Sequence, residues 1–390
     1  MSSHAIIASG SAARLGAVAL TAVLSGVQAA SAAPPTFDTR AQTAYLADVA
    51  TGTVLYEKEA DKRIQPASMS KLMTLYIVFE RLKSGSLKLE DSFPVSVKAW
   101  RTGGSKMFVK VNTQVTVADL LNGIIVQSGN DACVVMAEGL AGTEEAFAEL
   151  MNKRGKEIGL VASNFRNSTG WPEEGHVMTA RDIALLSERL IRDFPEYYPY
   201  FGGKNFTFNE IRQGNRNPLL YKDLGVDGLK TGHTEEAGFG LAASAERSGR
   251  RLVMVITGTT SMNARSQEAE RLLEWGYREF GNYALFAAGA AVDKAEVWLG
   301  REDTVPLVVD RPLVVTLPKR SRPKLDVRLV YDGPIAAPIA KGQKIGEIVV
   351  SAPDWSGVTV PVTAGASVEQ LGLFGRLSAA IRHVLWGASG

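Results

Sequence analysis

Residues 66–74 read Pro66-Ala67-Ser68-Met69-Ser70-Lys71-Leu72-Met73-Thr74. The stretch opens an apolar helical pattern that predicts a helix from about Ser68 to Lys83, with Leu72, Leu75, Tyr76 and Phe79 on one face. Ser68 and Lys71 then share a face one turn apart. A helix start also supplies unpaired N–H groups and the positive end of the dipole. A serine there has a base within reach and donors for an oxyanion. By itself the S-x-x-K pattern is weak, because Ser and Lys are common and surface helix starts are many.

Upstream, residues 40–58 predict two strands around Thr51-Gly52. Downstream, helical periodicity covers 117–128, 131–141, 144–159 and 179–193, with Thr116 and Thr179 placed as N-caps. Strands follow at 226–231, 238–246 and 251–259. Ser248-Gly249 suggests a hairpin between the last two. A helix then runs from about 263 to 280. Strands, a helical block, more strands and a helix predict an α+β domain with an antiparallel sheet and a helical subdomain. Beyond about 290, short β runs recur at 296–299, 304–309, 313–317, 325–331, 345–350 and 358–362. They predict a small all-β sandwich. It carries no Ser/Lys, His/Asp or carboxylate constellation and reads as a non-catalytic accessory domain.

Composition narrows the chemistry. The 390 residues are 45% hydrophobic and 22% charged, enough apolar surface for a packed core. Lys+Arg is 43 against Asp+Glu 41, so there is no electrostatic footprint for nucleic acid. The single cysteine, Cys133, excludes an internal disulfide framework and a Cys-cluster metal site. The four histidines, His4, His176, His233 and His383, have no ligand spacing. Neither a metal nor a cofactor is expected.

The two ends stand apart. Arg14, the apolar run at 15–24 and Ala30-Ser31-Ala32 make residues 1–33 a secretory signal peptide, with an N-terminal membrane helix as the alternative. At the other end, Leu373, Phe374, Leu377, Ile381, Val384 and Leu385 recur at helical spacing. Residues 366–390 predict an amphipathic helix, either docked on its own domain or lying in a membrane interface.

Two further triplets change the reading of residues 66–74. Ser128-Gly129-Asn130 lies between two predicted helices, and Lys230-Thr231-Gly232 lies on a predicted strand. S-x-x-K, S-G-N and K-T-G in that order form the signature of penicillin-recognising serine acyl transferases. The chain closely resembles the low-molecular-mass penicillin-binding proteins that are serine-type D-alanyl-D-alanine carboxypeptidases. The match is carried by PASMSKLMT at 66–74, GSKMFVK at 104–110, QSGNDAC at 127–133, FTFNEIRQGNRNPLL at 206–220 and VDGLKTGHTEEAG at 226–238. It runs from about residue 35 to the C-terminus and is densest through residue 280.

The resemblance implies a penicillin-binding/transpeptidase-like domain at 34–288, a β-rich domain at 289–365 and a membrane-associating tail at 366–390. It implies export to the periplasmic side of a bacterial cytoplasmic membrane. The implied substrate is the peptidoglycan pentapeptide ending in D-Ala-D-Ala, and β-lactams are implied to acylate the same serine. Ser68 is implied as nucleophile, Lys71 as general base and Ser128 as proton relay. Asn130 is implied to bind a substrate amide. Lys230, Thr231, Gly232, His233 and Arg265 are implied to hold the substrate, His233 through its main-chain N–H beside that of Ser68.

Three rivals share parts of this pattern. A D,D-endopeptidase has the same motifs. A serine β-lactamase needs a glutamate to activate the deacylating water. The corresponding stretch, Ser163 to Trp171, has none, and no E-x-x-L-N pattern follows. A retired wall-binding domain conflicts with a complete set of motif residues.

Overall fold

A computed structural model describes residues 36–375. The expected signal peptide at 1–33 lies outside the described residues, as does the tail from 376 onward. The described chain forms two compact units, one spanning Phe37–Arg278 and one beginning at Glu279.

In the first unit, β1 (Thr43–Asp48) and β2 (Val54–Lys58) form the first hairpin. Ala67–Ser70 is a 3-10 turn that runs into α1 (Lys71–Lys83). Then come α2 (Val117–Ile125), α3 (Asn130–Ala141), α4 (Glu144–Glu157) and α5 (Ala180–Asp193). The unit ends with β3 (Val226–Thr234), β4 (Gly238–Arg247), β5 (Arg250–Thr259) and α6 (Met262–Glu279). The predicted helix at 68–83 therefore begins as a tighter turn, and Ser68 sits in that turn. Thr116 and Thr179 act as caps: their hydroxyls accept from the N–H groups of Asp119 and Asp182 at 3.1 and 3.0 Å.

The sheet is antiparallel, in the order β2-β1-β5-β4-β3. Its centre joins the two ends of the unit, with Thr43 opposite Thr257 and Tyr45 opposite Val255. Ser248 and Gly249, both at positive φ, close the two-residue β4–β5 hairpin. Side-chain alternation assigns the faces. Tyr45, Ala47, Val253 and Val255 join the core formed with the helical block. Leu46 and Leu252 point to the other face, where Gly276 lets α6 approach. A Cβ there would lie 2.6 Å from Leu46.

The helix α1 is buried on nearly every side, consistent with its continuous apolar sequence. Its Phe79 packs against Phe194, Tyr197 and Phe201. The central helix thus carries Lys71 into the interior, while β3 remains the edge strand of the sheet.

The second unit contains β6 (Phe280–Phe286), β7 (Ala291–Trp298), β8 (Thr304–Val308) and β9 (Leu313–Pro318). These are followed by β10 (Asp326–Tyr331), β11 (Ile335–Ala336), β12 (Lys344–Ala352) and β13 (Trp355–Ala364). A six-stranded sheet has the order β10-β12-β13-β8-β7-β11, and β6 pairs with β9 separately. Leu313, Val315 and Leu317 of the small sheet share one core with Val305, Leu307, Ile348 and Val350 of the large one. Five predicted strands match observed ones to within three residues, and the run at 296–299 overlaps only the end of β7. The strand at 280–286 was missed because it follows α6 directly, with no turn residues to separate them. In the predicted tail, Val368 and Gln370 bridge to Ile339 and Gly300. Leu373 and Phe374 are 79% and 90% exposed.

Candidate active site

Three chain segments converge on Ser68. The 3-10 turn supplies Ser68, with Ala67 before it at φ 49. The loop between α2 and α3 supplies Ser128, at φ 62, and Asn130 opens α3. The edge strand β3 supplies Lys230 and Thr231. Left-handed backbone at a residue other than glycine costs about 1–3 kcal/mol. Here it occurs beside the candidate nucleophile and at the candidate relay.

The buried Nζ of Lys71 lies 2.8 Å from Ser68 Oγ, 2.8 Å from Asn130 Oδ1 and 2.5 Å from the Thr169 carbonyl oxygen. An ammonium would donate to all three. A neutral amine donates to the two pure acceptors, Asn130 and Thr169, and turns its lone pair to the Ser68 hydroxyl. Burial favours the neutral form and lowers the Lys71 pKa to about 8; the nearby Arg216 pushes in the same direction. Asn130 is fixed by its second bond, Nδ2 to Gly103 O at 2.9 Å.

Across the cleft, Gly232 lets β3 pass the nucleophile's turn. A Cβ there would lie 2.9 Å from the Pro66 carbonyl and 3.3 Å from Ala67 Cβ. Lys230 is buried, and among the described residues its Nζ has one acceptor, Thr231 O at 3.2 Å. Burial, and then repulsion from Lys71 and Arg216, drives its pKa well down. Arg265, on α6, is buried and donates to the Arg216 carbonyl at 3.4 Å, while its Nε has no hydrogen-bond partner among the described residues. Burial lowers its pKa to about 10, with Arg216 adding to the effect. Arg216 Nη1 donates to Ser105 Oγ at 2.6 Å. Four basic side chains thus lie close together, Lys71, Lys230 and Arg265 buried and Arg216 exposed beside them. An arriving carboxylate would relieve their repulsion and restore charge to Lys230.

The remaining sequence candidates fall as follows. Ser128 is buried and its Oγ has no hydrogen-bond partner among the described residues. His233 is exposed, its ring stacked on Phe239 at 3.8 Å between centroids. Cys133 is fully buried and its thiol is pushed up to about 12, so it packs as a small hydrophobe. All the named positions come from the turn, loop, edge strand and helix of one unit.

Sequence reading missed Arg216, Thr169 and Asp131. Arg216 lies in the quoted stretch 206–220, but a lone arginine in a loop carries no local signal. Thr169 acts through its carbonyl, which residue type does not reveal. Asp131 sits beside Asn130 and holds the opposite wall. Its carboxylate accepts from the N–H groups of Met107, Phe108 and Val109 at 2.9, 2.9 and 3.2 Å. Ser105, from the same wall, accepts from Asn130 N at 2.7 Å. Replacing Asp131 by Ala orphans three buried or half-buried donors. It is expected to cost about 3 kcal/mol or more in chemical denaturation.

Comparison with known proteins places this geometry among relatives. Residues 27–261 match the family described as D-alanyl-D-alanine carboxypeptidase. Residues 280–370 match the family described as penicillin-binding protein 5, C-terminal domain. The chain is 41% identical over 351 residues to D-alanyl-D-alanine carboxypeptidase DacC of Escherichia coli K12, covering 88% of this chain and 87% of that one. Penicillin-binding protein 5 from Haemophilus influenzae has a similar structure, with a TM-score of 0.79 and 37% identity. That match covers 86% of this chain and 99% of that one. Penicillin-binding protein D2 from Listeria monocytogenes, in its ampicillin-bound form, has a TM-score of 0.57 and 30% identity. It covers 62% of this chain and 100% of that one.

Proposed function

The chain belongs to the D-alanyl-D-alanine carboxypeptidase family of serine peptidases, and on that premise we propose how its own residues carry the reaction. Lys71 takes the Ser68 proton, and Ser68 Oγ attacks the carbonyl carbon of the penultimate D-alanine. The oxyanion is held by the backbone N–H groups of Ser68 and His233. The proton reaches the leaving amine through Ser128, and the terminal D-alanine departs. Asn130 bonds a substrate amide. Lys230, Thr231 and Arg265 receive the terminal carboxylate, and Gly232 keeps the strand close. Water then attacks the ester carbonyl, Lys71 takes its proton, and Ser68 recovers its hydrogen as the shortened peptide leaves.

The observation that carries this reading is the buried Lys71 amine, 2.8 Å from Ser68 Oγ with two other acceptors occupying its N–H groups. The cationic group supports a substrate with a free carboxylate, because crowded cations, here with Lys230 and Arg265 buried, are stabilised by an anion. β-Lactams enter the same reading as acylating agents. The stretch 163–171 offers Lys71 a carbonyl and contains no glutamate, so their ester should persist.

Incubating the protein with pentapeptide-bearing wall fragments should remove one alanine, read by mass spectrometry. A severed cross-link instead would assign an endopeptidase. Ser68→Ala should abolish both alanine release and labelling by a fluorescent penicillin; release that survives the substitution would remove Ser68 from its role.

The pH dependence has a fixed sign. The neutral amine is the base, so protonating Lys71 stops acylation. The rate constant for penicillin acylation should fall about tenfold per pH unit below a pKa of about 8 and level off above it. A rate flat between pH 5 and 8 would show that Lys71 is not the titrating base.

We also propose an exported protein on the periplasmic side of the membrane, held peripherally by residues 366–390. The support is the apolar spacing of that tail and the exposed Leu373 and Phe374. Among the described residues, no helix is long and apolar enough to cross a membrane. The full chain should co-sediment with anionic lipid vesicles, and a chain ending at Gly372, which lacks Leu373, Phe374 and the rest of the apolar pattern, should stay in the supernatant. Equal partitioning of the two would exclude the tail as the anchor.

A further inference from the structure

Asn167 organises the third wall around Lys71. Its Oδ1 accepts from Thr169 N, Thr169 Oγ1, Gly170 N and Trp171 N at 3.2, 3.0, 2.9 and 3.1 Å. Its Nδ2 donates to Trp171 O at 3.1 Å and to Glu173 Oε2 at 3.0 Å. One carboxamide thus folds residues 167–171 into a single turn. That turn sits directly on the nucleophile's turn. Gly170 has φ +78, and a Cβ there would lie 1.9 Å from the Ala67 carbonyl oxygen and 2.6 Å from Ser70 Oγ. Ser168 is tied down separately, its carbonyl accepting from Thr74 Oγ1 at 2.8 Å and its hydroxyl donating to Glu144 at 2.7 Å.

We propose that Asn167 is a positioning residue for the acyl-transfer reaction, acting on Lys71 through the carbonyl of Thr169. The proposal rests on the reading of Lys71 as the base. A neutral amine has two N–H groups and one lone pair. With Asn130 and Thr169 accepting the two hydrogens, the lone pair is left for the Ser68 hydroxyl. Without a fixed Thr169 carbonyl, one N–H turns to the nearest remaining acceptor, Ser68 Oγ itself. The lysine then donates to the serine instead of taking its proton. The ties through Thr74 and Glu144 fix Ser168 but not the orientation of the next peptide, which Asn167 sets.

The other charged or titratable groups acting on Lys71 are Asp131 and Cys133 from α3, Glu144 from α4 and Arg216 from its loop. Lys230 on β3 and His176 act on it as well. Substituting Asn167 alters none of them, so a change in the pH profile reports on the loop. In Asn167→Ala an ammonium at Lys71 loses an acceptor, and the midpoint should move to lower pH. In Asn167→Asp the acceptor remains and a negative charge is added, so the midpoint should move up. The exposed Glu173 can swing away from the new carboxylate.

The test is acylation of the full chain by a fluorescent penicillin, followed from pH 5 to 10, with thermal melting of each variant. Asn167→Ala should lose about a hundredfold in the acylation rate constant, the cost of a misaligned base, while the preceding dissociation constant stays unchanged. Asn167→Asp should recover most of that rate. Wild-type rates in Asn167→Ala would overturn the proposal. So would a loss that only tracks the unfolded fraction with an unmoved midpoint, or a folded Asn167→Asp as slow as the Ala variant. If Asn167→Ala does not fold, the Asp variant decides by comparison with wild type: a folded Asn167→Asp about a hundredfold slower, or one whose midpoint does not move up, overturns the proposal. Failure of the wild-type protein to label at Ser68 would instead overturn the underlying reading of the site.

Discussion

The organising constraint is one amine taken out of water. Lys71 sits inside the first unit on a helix buried along nearly its whole length, and among the described residues no carboxylate is hydrogen-bonded to it. An ammonium there is disfavoured by lost hydration, which no surrounding bond fully returns. The same burial that makes the folded state harder to build lowers the Lys71 pKa to about 8, which suits the base role proposed for it. The surrounding walls can be understood as the means of keeping that amine dry, hydrogen-bonded and aimed at Ser68.

Those walls come close because side chains are missing where backbones meet. Gly232 brings the edge strand against the Pro66 carbonyl, and Gly170 brings the loop against that of Ala67. Each contact is shorter than a Cβ would allow. The edge strand is central to this arrangement. A strand inside the sheet would have both rows of backbone groups paired, whereas β3 is the edge strand beside Ser68. The price is local strain at Ala67 and Ser128, held by the packing around them.

The crowded cations answer a different need. Lys71, Arg216 and Arg265 all repel Lys230, Arg216 also repels Lys71 and Arg265, and burial deprives Lys71, Lys230 and Arg265 of water while Arg216 stays exposed. Left empty, the cluster is an unfavourable arrangement. A small carboxylate arriving among them turns repulsion into attraction. In the proposed reading, recognition of such a group begins with this electrostatics, before any contact with the peptide itself.

Much of this was legible in the chain. The period of the apolar residues gave the helices and strands, because burial on one face leaves a repeating mark. Thr116 and Thr179 marked helix starts, since a hydroxyl there satisfies a donor that the helix cannot. Ser68, Lys71, Ser128, Asn130 and Lys230 could be singled out as candidates because the chemistry proposed for them resides in side chains at fixed local spacings. Other features left no such mark. Thr169 contributes a backbone carbonyl, which every residue has. Asn167 looks like any loop asparagine until its six bonds are traced. Arg216 becomes meaningful only beside Lys71 and Arg265, which lie far away in the chain. The sequence by itself determined which reactive groups exist and which local elements carry them. Tertiary structure alone decided which backbone groups face Lys71 and how completely water is excluded, because distances between remote segments and the dielectric around a charge arise only when the chain is packed.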